Sequence, residues 1–291
     1  MKHPEGRFLA GRRVFVTGAA SGIGRAVALR AAAQGAVLFL TDIDRTGLTG
    51  TVAAIRDAGG EVGLAQPADV SSYEQMRTLA EKCHADGGAM DVVMNVAGIS
   101  AWGTVQTLEH RHWRSQVEVN LMGPIHVIES FVPAMAEAGR GGHLVNVSSA
   151  AGLVGLPWHA AYSASKYGLR GVSEVLRFDL HRHGIGVTLV CPGAVDTPLT
   201  KSVDIAGVDK DSPAFKRVQA RFKRLAVTPD EVAVAILDGM RRKRYLVHTS
   251  PWIRTLHLVQ RVLPPVYVLA MRLFNRVADR ALRAAAPEAG R

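Results

Sequence analysis

Tyr162 and Lys166 stand four residues apart in Ala161-Tyr-Ser-Ala-Ser-Lys-Tyr-Gly168, a segment of helical composition, so their side chains lie over one helix face. A phenol is thereby set beside an ammonium. An unperturbed tyrosine titrates near pH ~10, but a neighbouring positive charge favours the phenolate, so the pair offers a general acid or base close to neutral pH. Ser149 lies just past the strand-like run Leu144-Val-Asn-Val-Ser and thirteen residues before Tyr162, and can supply a hydroxyl to the same pocket. The same Tyr-x-x-x-Lys spacing also describes an ordinary surface pair, so the reading turns on whether a cofactor site is encoded elsewhere.

Such a site is written at the start of the chain. Arg13-Val-Phe-Val-Thr17 reads as a strand, Gly18-Ala-Ala-Ser21-Gly22-Ile23-Gly24 as a glycine turn, and Arg25 to Gln34 as a helix stopped by Gly35. Glycines let a backbone turn sharply against a pyrophosphate, whose charge the first helical N–H groups stabilise. The next strand, Ala36-Val-Leu-Phe-Leu-Thr41, ends in Asp42. A carboxylate there can bond the adenosine ribose and repels a 2′-phosphate, which favours NAD over NADP. Asp44 reads as the N-cap of the following helix, and Arg45 is a cation that could offset part of that repulsion.

These motifs, in this order, resemble the short-chain dehydrogenase/reductase family. The resemblance covers about residues 10–200: the glycine turn, Asp42, Ala68-Asp69-Val70, Asn95-Val96-Ala97-Gly98, Asn120 in Val-Asn-x-x-Gly, Asn-Val-Ser-Ser149, Tyr162-x-x-x-Lys166, and Pro192-Gly193-Ala-Val195-Asp-Thr197. Val96 departs from the family's second asparagine. The resemblance implies hydride transfer between a nicotinamide and a carbinol carbon, with Tyr162 as acid/base and Ser149 on the substrate oxygen. Lys166 would lower the tyrosine's pKa and reach the nicotinamide ribose, and Asn120 would hold a water linking Lys166 to solvent. It further implies cofactor contacts from Gly18, Ser21, Gly22, Ile23, Gly24 and Asp42, from Asp69 and Val70 near the adenine, and from Ala97 and Gly98. Asn95 would brace the sheet, and Pro192, Gly193, Val195 and Thr197 would hold the nicotinamide carboxamide.

Alternating strands and helices independently predict an α/β fold, a Rossmann-type doubly wound parallel sheet. The 291 residues, 48% hydrophobic, suit one large core with appendages. The expected organisation is a catalytic domain over 1–250, with a substrate lid at 199–225, and a basic amphipathic helical extension over 251–291. Cys83 and Cys191 lie in unrelated segments, which suits a reducing, cytoplasmic location; Cys191 reads as a small buried hydrophobe. The N-terminus lacks the apolar core of a signal peptide, and Val266 to Met271 is far short of the roughly 20 residues a span needs.

Net charge is +10, and its placement is uneven. Residues 1–198 are neutral, whereas 199–225 hold 7 Lys+Arg against 3 Asp+Glu and 241–291 hold 11 against 2. No nucleic-acid motif accompanies these segments, so no nucleic-acid partner is expected. In the lid, Phe215, Val218, Phe222 and Leu225 form an apolar stripe that either meets substrate or packs on the body. Leu153, Val154, Leu156 and Trp158 add apolar walls, so a hydrophobic alcohol or ketone, sterol-, retinoid- or fatty-alcohol-like, is expected rather than a sugar.

Beyond the lid, Ile253, Leu256, Val259 and Leu263 form one stripe, broken by Pro264-Pro265. Val266, Leu269, Ala270, Leu273, Phe274, Val277 and Ala281 form a second, with Arg272, Arg276, Arg280 and Arg283 opposite. This arm, 252–283, predicts peripheral membrane contact, with packing on the body or a second subunit left open. The family commonly forms homodimers or homotetramers. His110-Arg-His112 and His181-Arg-His183 put histidines two apart, which do not face each other on a helix, so no metal site is predicted. Two alternatives stay open beside an NAD enzyme: an NADP-dependent carbonyl reductase, and a dinucleotide sensor or scaffold that kept the fold.

Overall fold

The computed structural model describes residues 7–85, 87–199, 203–209 and 211–283. Seven parallel strands make the central sheet: β1 (Arg13–Thr17), β2 (Val37–Thr41), β3 (Glu61–Ala65), β4 (Val92–Asn95), β6 (Gly142–Val147), β7 (Ile185–Cys191) and β9 (Leu246–His248). Their order is β3-β2-β1-β4-β6-β7-β9. A separate short pair joins β5 (Ala101–Trp102) to β8 (Asp204–Ile205). The chain winds outward from β1 in one direction and returns to β4 on its other side, so the C-terminal ends of β1 and β4 flank the crevice where such sheets bind ligands.

Parallel strands buried on both faces read as nearly continuous apolar runs. In β1, Val14 and Val16 enter one layer with Val27, Ala28 and Ala31 of helix α1 (Gly22–Ala33), while Phe15 points the other way and stacks on Phe131 of α5 (Gly123–Ala138), ring centroids 4.1 Å apart. The first layer also takes Val232, Ala233 and Ile236 of α8 (Pro229–Arg241). The second takes Met76, Leu79 and Ala80 of α3 (Tyr73–Ala85). Helix α2 (Arg45–Asp57) is capped by Asp44, whose carboxylate accepts from Thr46 N and Gly47 N, as expected of that residue.

The sheet is braced where the sequence placed a brace. Asn95 Nδ2 donates to Asn146 Oδ1 on β6 at 2.9 Å, and Asn146 Nδ2 donates to Ser173 Oγ at 2.9 Å on α6 (Ala160–Asp179). All three are nearly inaccessible, so the network ties β4, β6 and the helix of Tyr162 into one body. Cys83 and Cys191 are free and buried, and burial pushes each thiol up to about 12, as suits inert core residues.

The C-terminal arm is two helices, α9 (Pro251–Val262) and α10 (Pro264–Arg283), broken at Leu263-Pro264. Pro264 can open a helix but cannot continue one. Ile253 of α9 is fully buried against Leu153, Val154, Leu189 and Cys191. On α10, Tyr267 and Met271 turn inward, whereas Leu269, Leu273 and Val277 are 70%, 61% and 51% exposed. The side chains of Ala281 and Arg283 lie outside the described set. No described helix is long and apolar enough to cross a membrane.

Asn146→Ala would strip partners from Asn95 and Ser173 together. The variant is expected to lose about 2 kcal/mol or more in urea unfolding, with an unchanged m-value.

Candidate active site

Each expected site residue sits at the C-terminal edge of the sheet or on the helices that follow it. The glycine turn joins β1 to α1. Gly18 has φ +70°, and a Cβ there would lie 2.9 Å from the backbone of Ala97. A Cβ on Gly24 would lie 2.0 Å from Gly18 O, so only glycine closes this turn. Thr17 Oγ1 accepts from Val96 N at 3.0 Å and Ala97 N at 3.1 Å, locking the turn to the Asn95–Gly98 segment across the crevice. Ser21 makes no side-chain cap, so its side chain leaves the first N–H groups of α1 to a ligand. A Cβ on Gly22 would lie 3.2 Å from Thr197 Cγ2, which brings the Pro192–Thr197 turn against the glycine turn. A glycine turn with uncapped helix donors and a carboxylate beyond it fits a dinucleotide.

That carboxylate is Asp42. Its Oδ2 accepts from Ala20 N at 2.9 Å and its Oδ1 from Asp44 N at 2.9 Å, so backbone donors fix it beside the glycine turn. Asp69 Oδ1 accepts from Ser71 N and Oγ at 2.9 and 2.8 Å, and Val70 is buried with its carbonyl 2.9 Å from His126 Nδ1. Ile23 packs against the core beneath the turn. Pro192 O accepts from Ala150 N at 2.7 Å, and Val195 pairs with Val227. Gly193 faces Ile253 of the arm, so a Cβ there would lie 2.7 Å from Ile253 Cδ1.

The reactive groups meet below. Helix α4 (His110–Val117) runs into a π-helical turn, Glu118–Met122, which presents Asn120. Its Oδ1 accepts from Ile99 N and its Nδ2 donates to Ile99 O, both at 2.9 Å. The amide that would be costly inside a regular helix is thus spent on the loop between β4 and β5, just after Gly98. A Cβ on Gly98 would lie 2.9 Å from Asn120 Oδ1, so glycine there admits the amide, with Lys166 Nζ close by at 3.5 Å from the same point.

Lys166 is 4% exposed and its Nζ donates to Val147 O at 3.1 Å. Its Nζ lies 5.8 Å from the centroid of the Tyr162 ring. Ser149 Oγ accepts from Ala151 N at 3.1 Å, and its hydroxyl is near enough to act on the Tyr162 phenol. The sequence expectation of a lowered phenol differs from what the chain's groups produce: burial pushes Tyr162 up to about 12, with Ser149 pulling the other way. The reason is the phenol's own loss of water, and burial acts on the neighbouring ammonium as well, pulling Lys166 down to about 8.

Sequence reasoning missed several neighbours. His159 packs against Trp102 at a tilt of 36°, centroids 4.5 Å apart, and meets Tyr162 edge-on at 6.1 Å. Burial pulls its imidazole down to about 4. His112 serves structure: Nδ1 accepts from Glu109 N at 2.9 Å, and Nε2 lies 3.1 Å from Asp204 Oδ2 on β8. In helix α7 (Pro213–Leu225), within the segment expected to serve as a lid, Phe215 is buried with Val203 and Ile205 against Trp102 and Trp158. Leu225 at the other end is 70% exposed, so the expected stripe does not act as one surface; the side chains of Val218 and Phe222 lie outside the described set. Lys223 pairs with Asp196 at 3.8 Å, linking α7 to the Pro-Gly turn.

The sequence profile of the short chain dehydrogenase family matches residues 12–206. Over 264 residues the chain is 34% identical to a probable oxidoreductase, EphD, of Mycobacterium bovis, covering 89% of this chain and 44% of that protein. It thus spans less than half the length of that relative. It is 39% identical over 253 residues to a 3beta-hydroxysteroid dehydrogenase of Mediterraneibacter gnavus, covering 80% and 90% of the two chains. Its fold superposes on a short chain dehydrogenase/reductase from Burkholderia phymatum in complex with NAD with a TM-score of 0.78 and 28% identity, covering 87% and 94%. By profile, relatives and fold together, the chain belongs to the short-chain dehydrogenase/reductase family of oxidoreductases.

Proposed function

We propose that the protein is an NAD-dependent dehydrogenase acting on the carbinol carbon of a secondary or otherwise hydrophobic alcohol, or on the matching ketone in reverse. The observation that carries this reading is the convergence of Ser149, Tyr162 and buried Lys166 beside a glycine turn and Asp42. NAD, when bound, supplies the ring carbon that accepts hydride. Gly18, Ser21, Gly22, Ile23 and Gly24 would hold its pyrophosphate, Asp42 its adenosine ribose, and Asp69 and Val70 its adenine. Ala97, Gly98, Pro192, Gly193, Val195 and Thr197 would line its nicotinamide half.

The chain's own residues manage the proton. Ser149 Oγ donates to the substrate oxygen and steadies the charge that develops there. Tyr162 Oη takes the alcohol proton during oxidation and returns it during reduction. A phenol pushed up by burial needs a cation to act as a base, and Lys166 is the cation placed to do this while reaching the nicotinamide ribose. Asn120, held by Ile99, would carry the water that connects Lys166 to solvent.

Substrate class follows from the walls. Trp102, Trp158, Val203, Ile205 and Phe215 form an apolar cluster between the lid and the catalytic loop, which supports a bulky apolar alcohol. The likeness to a 3beta-hydroxysteroid dehydrogenase supports a fused-ring secondary alcohol in particular. The outward Leu269, Leu273 and Val277, beside Arg272, Arg276 and Arg280, support peripheral attachment of the arm to an anionic, cytoplasmic-side bilayer. Exposed Val175 and Phe178 on α6 support a homodimer or homotetramer.

Fluorescence titration is expected to give tighter binding of NADH than of NADPH, and Asp42→Ala to shrink that preference by about tenfold or more. Equal or reversed preference in the unaltered protein would instead support a carbonyl reductase. Tyr162→Phe should lower kcat/KM for fused-ring alcohols by roughly 10²–10⁴-fold with NADH affinity kept. For the arm, co-sedimentation with phosphatidylserine-containing vesicles is expected, and Leu269→Asp with Leu273→Asp should abolish it. Binding that survives the double substitution would rule the apolar face out.

A further inference from the structure

Trp158 holds a backbone conformation that a bulky residue rarely adopts. Its φ is +65°, and among the described residues only Lys243 shares a positive φ without being glycine. Such strain persists only where the surroundings over-determine it, and it clusters at working sites. Four residues before Tyr162, Trp158 is held from several sides. Its carbonyl accepts from Gly103 N at 2.8 Å, fixing it to the end of β5. Its ring packs on Val203, Ile205 and Phe215 of the lid. Its indole Nε1 donates to Asp279 Oδ1 at 2.7 Å, from a residue 121 positions later on α10. A second tie runs alongside, since Gly155 N donates to Tyr267 Oη at 2.9 Å.

Asp279 is out of keeping with its helix. It is the one carboxylate in α10, among Arg272, Arg276, Arg280 and Arg283, and it turns toward the body while Arg272, Arg276 and Arg280 stay exposed. The family profile stops at residue 206, well before it.

We propose that Asp279 is a positioning residue for the substrate pocket: by accepting the Trp158 indole it holds that ring as a wall between the lid and Tyr162. The C-terminal arm therefore sets how large an apolar substrate is admitted, and a bilayer-facing arm and a sized pocket become parts of one device. The inference rests on the alcohol dehydrogenase reading for its substrate. Its geometry does not depend on that reading.

The test compares Asp279→Ala with Asp279→Asn, which keeps an oxygen acceptor. With NAD in excess, Asp279→Ala is expected to raise KM for decahydro-2-naphthol about tenfold, to move KM for cyclohexanol far less, and to leave NADH affinity intact; Asp279→Asn should recover most of the loss. Equal effects on both alcohols, or no recovery in Asp279→Asn, would reduce Asp279 to a general structural role and overturn the proposal. Hydrogen exchange of the 153–161 segment supplies a readout free of turnover. It should quicken in Asp279→Ala and stay near the original rate in Asp279→Asn, and unchanged exchange in Asp279→Ala would also overturn the proposal. If the unaltered protein oxidises neither alcohol, the functional reading fails while the exchange result still decides the positioning claim.

Discussion

An almost fully buried ammonium is costly to hold, and much of the candidate site is arranged around Lys166. A charge leaves water only if hydrogen bonds and space are provided for it. Val147 O supplies one bond at the end of β6, and Gly98 leaves room for the neighbouring Asn120 amide, because a Cβ there would lie 2.9 Å from Asn120 Oδ1. Asn120 in turn needs the π turn that ends α4 and the backbone of Ile99. Burial pulls the ammonium down to about 8, which is the cost of holding that charge away from water. Sheet, helix α6 and π turn thus share one obligation, which is to hold a cation beside a phenol away from solvent.

The same economy governs the crevice above it. Two strand ends, β1 and β4, approach so closely that Gly18 touches the backbone of Ala97, and Thr17 stitches the two together. What remains open on that edge is the N-terminus of α1, a fixed carboxylate and the Pro192–Thr197 turn. Each presents polar groups that the fold has already oriented, so binding there costs little reorganisation.

Much of this was legible in the sequence, because the informative signals are local. Arg13–Thr17 and Val37–Thr41 match their predicted strands, Asp44 caps its helix, and Tyr162 with Lys166 share a face because four residues make about one turn. Spacing conveys proximity but not burial. That is why the direction of the Tyr162 shift came out opposite to expectation: Lys166 is near, yet desolvation acts on both groups. The π turn was hidden because Glu118–Met122 has ordinary helical composition, and what sets it apart is a backbone bond, Gly123 N to Glu118 O, one residue wider than the α-helical spacing. The arm was half legible. Its apolar stripes were plain, but which face meets the body is marked by Tyr267 and Asp279, whose hydrogen-bond partners lie more than a hundred residues away.

The central claim is direct hydride transfer from a carbinol carbon to NAD. The most direct test is to supply NAD with cyclohexanol or decahydro-2-naphthol deuterated at the carbinol carbon, and to locate the label by mass spectrometry and NMR. The account predicts one deuterium at the nicotinamide C4 of NADH, with none incorporated from solvent. Unlabelled NADH, or no reduced cofactor from any hydrophobic alcohol, would contradict it.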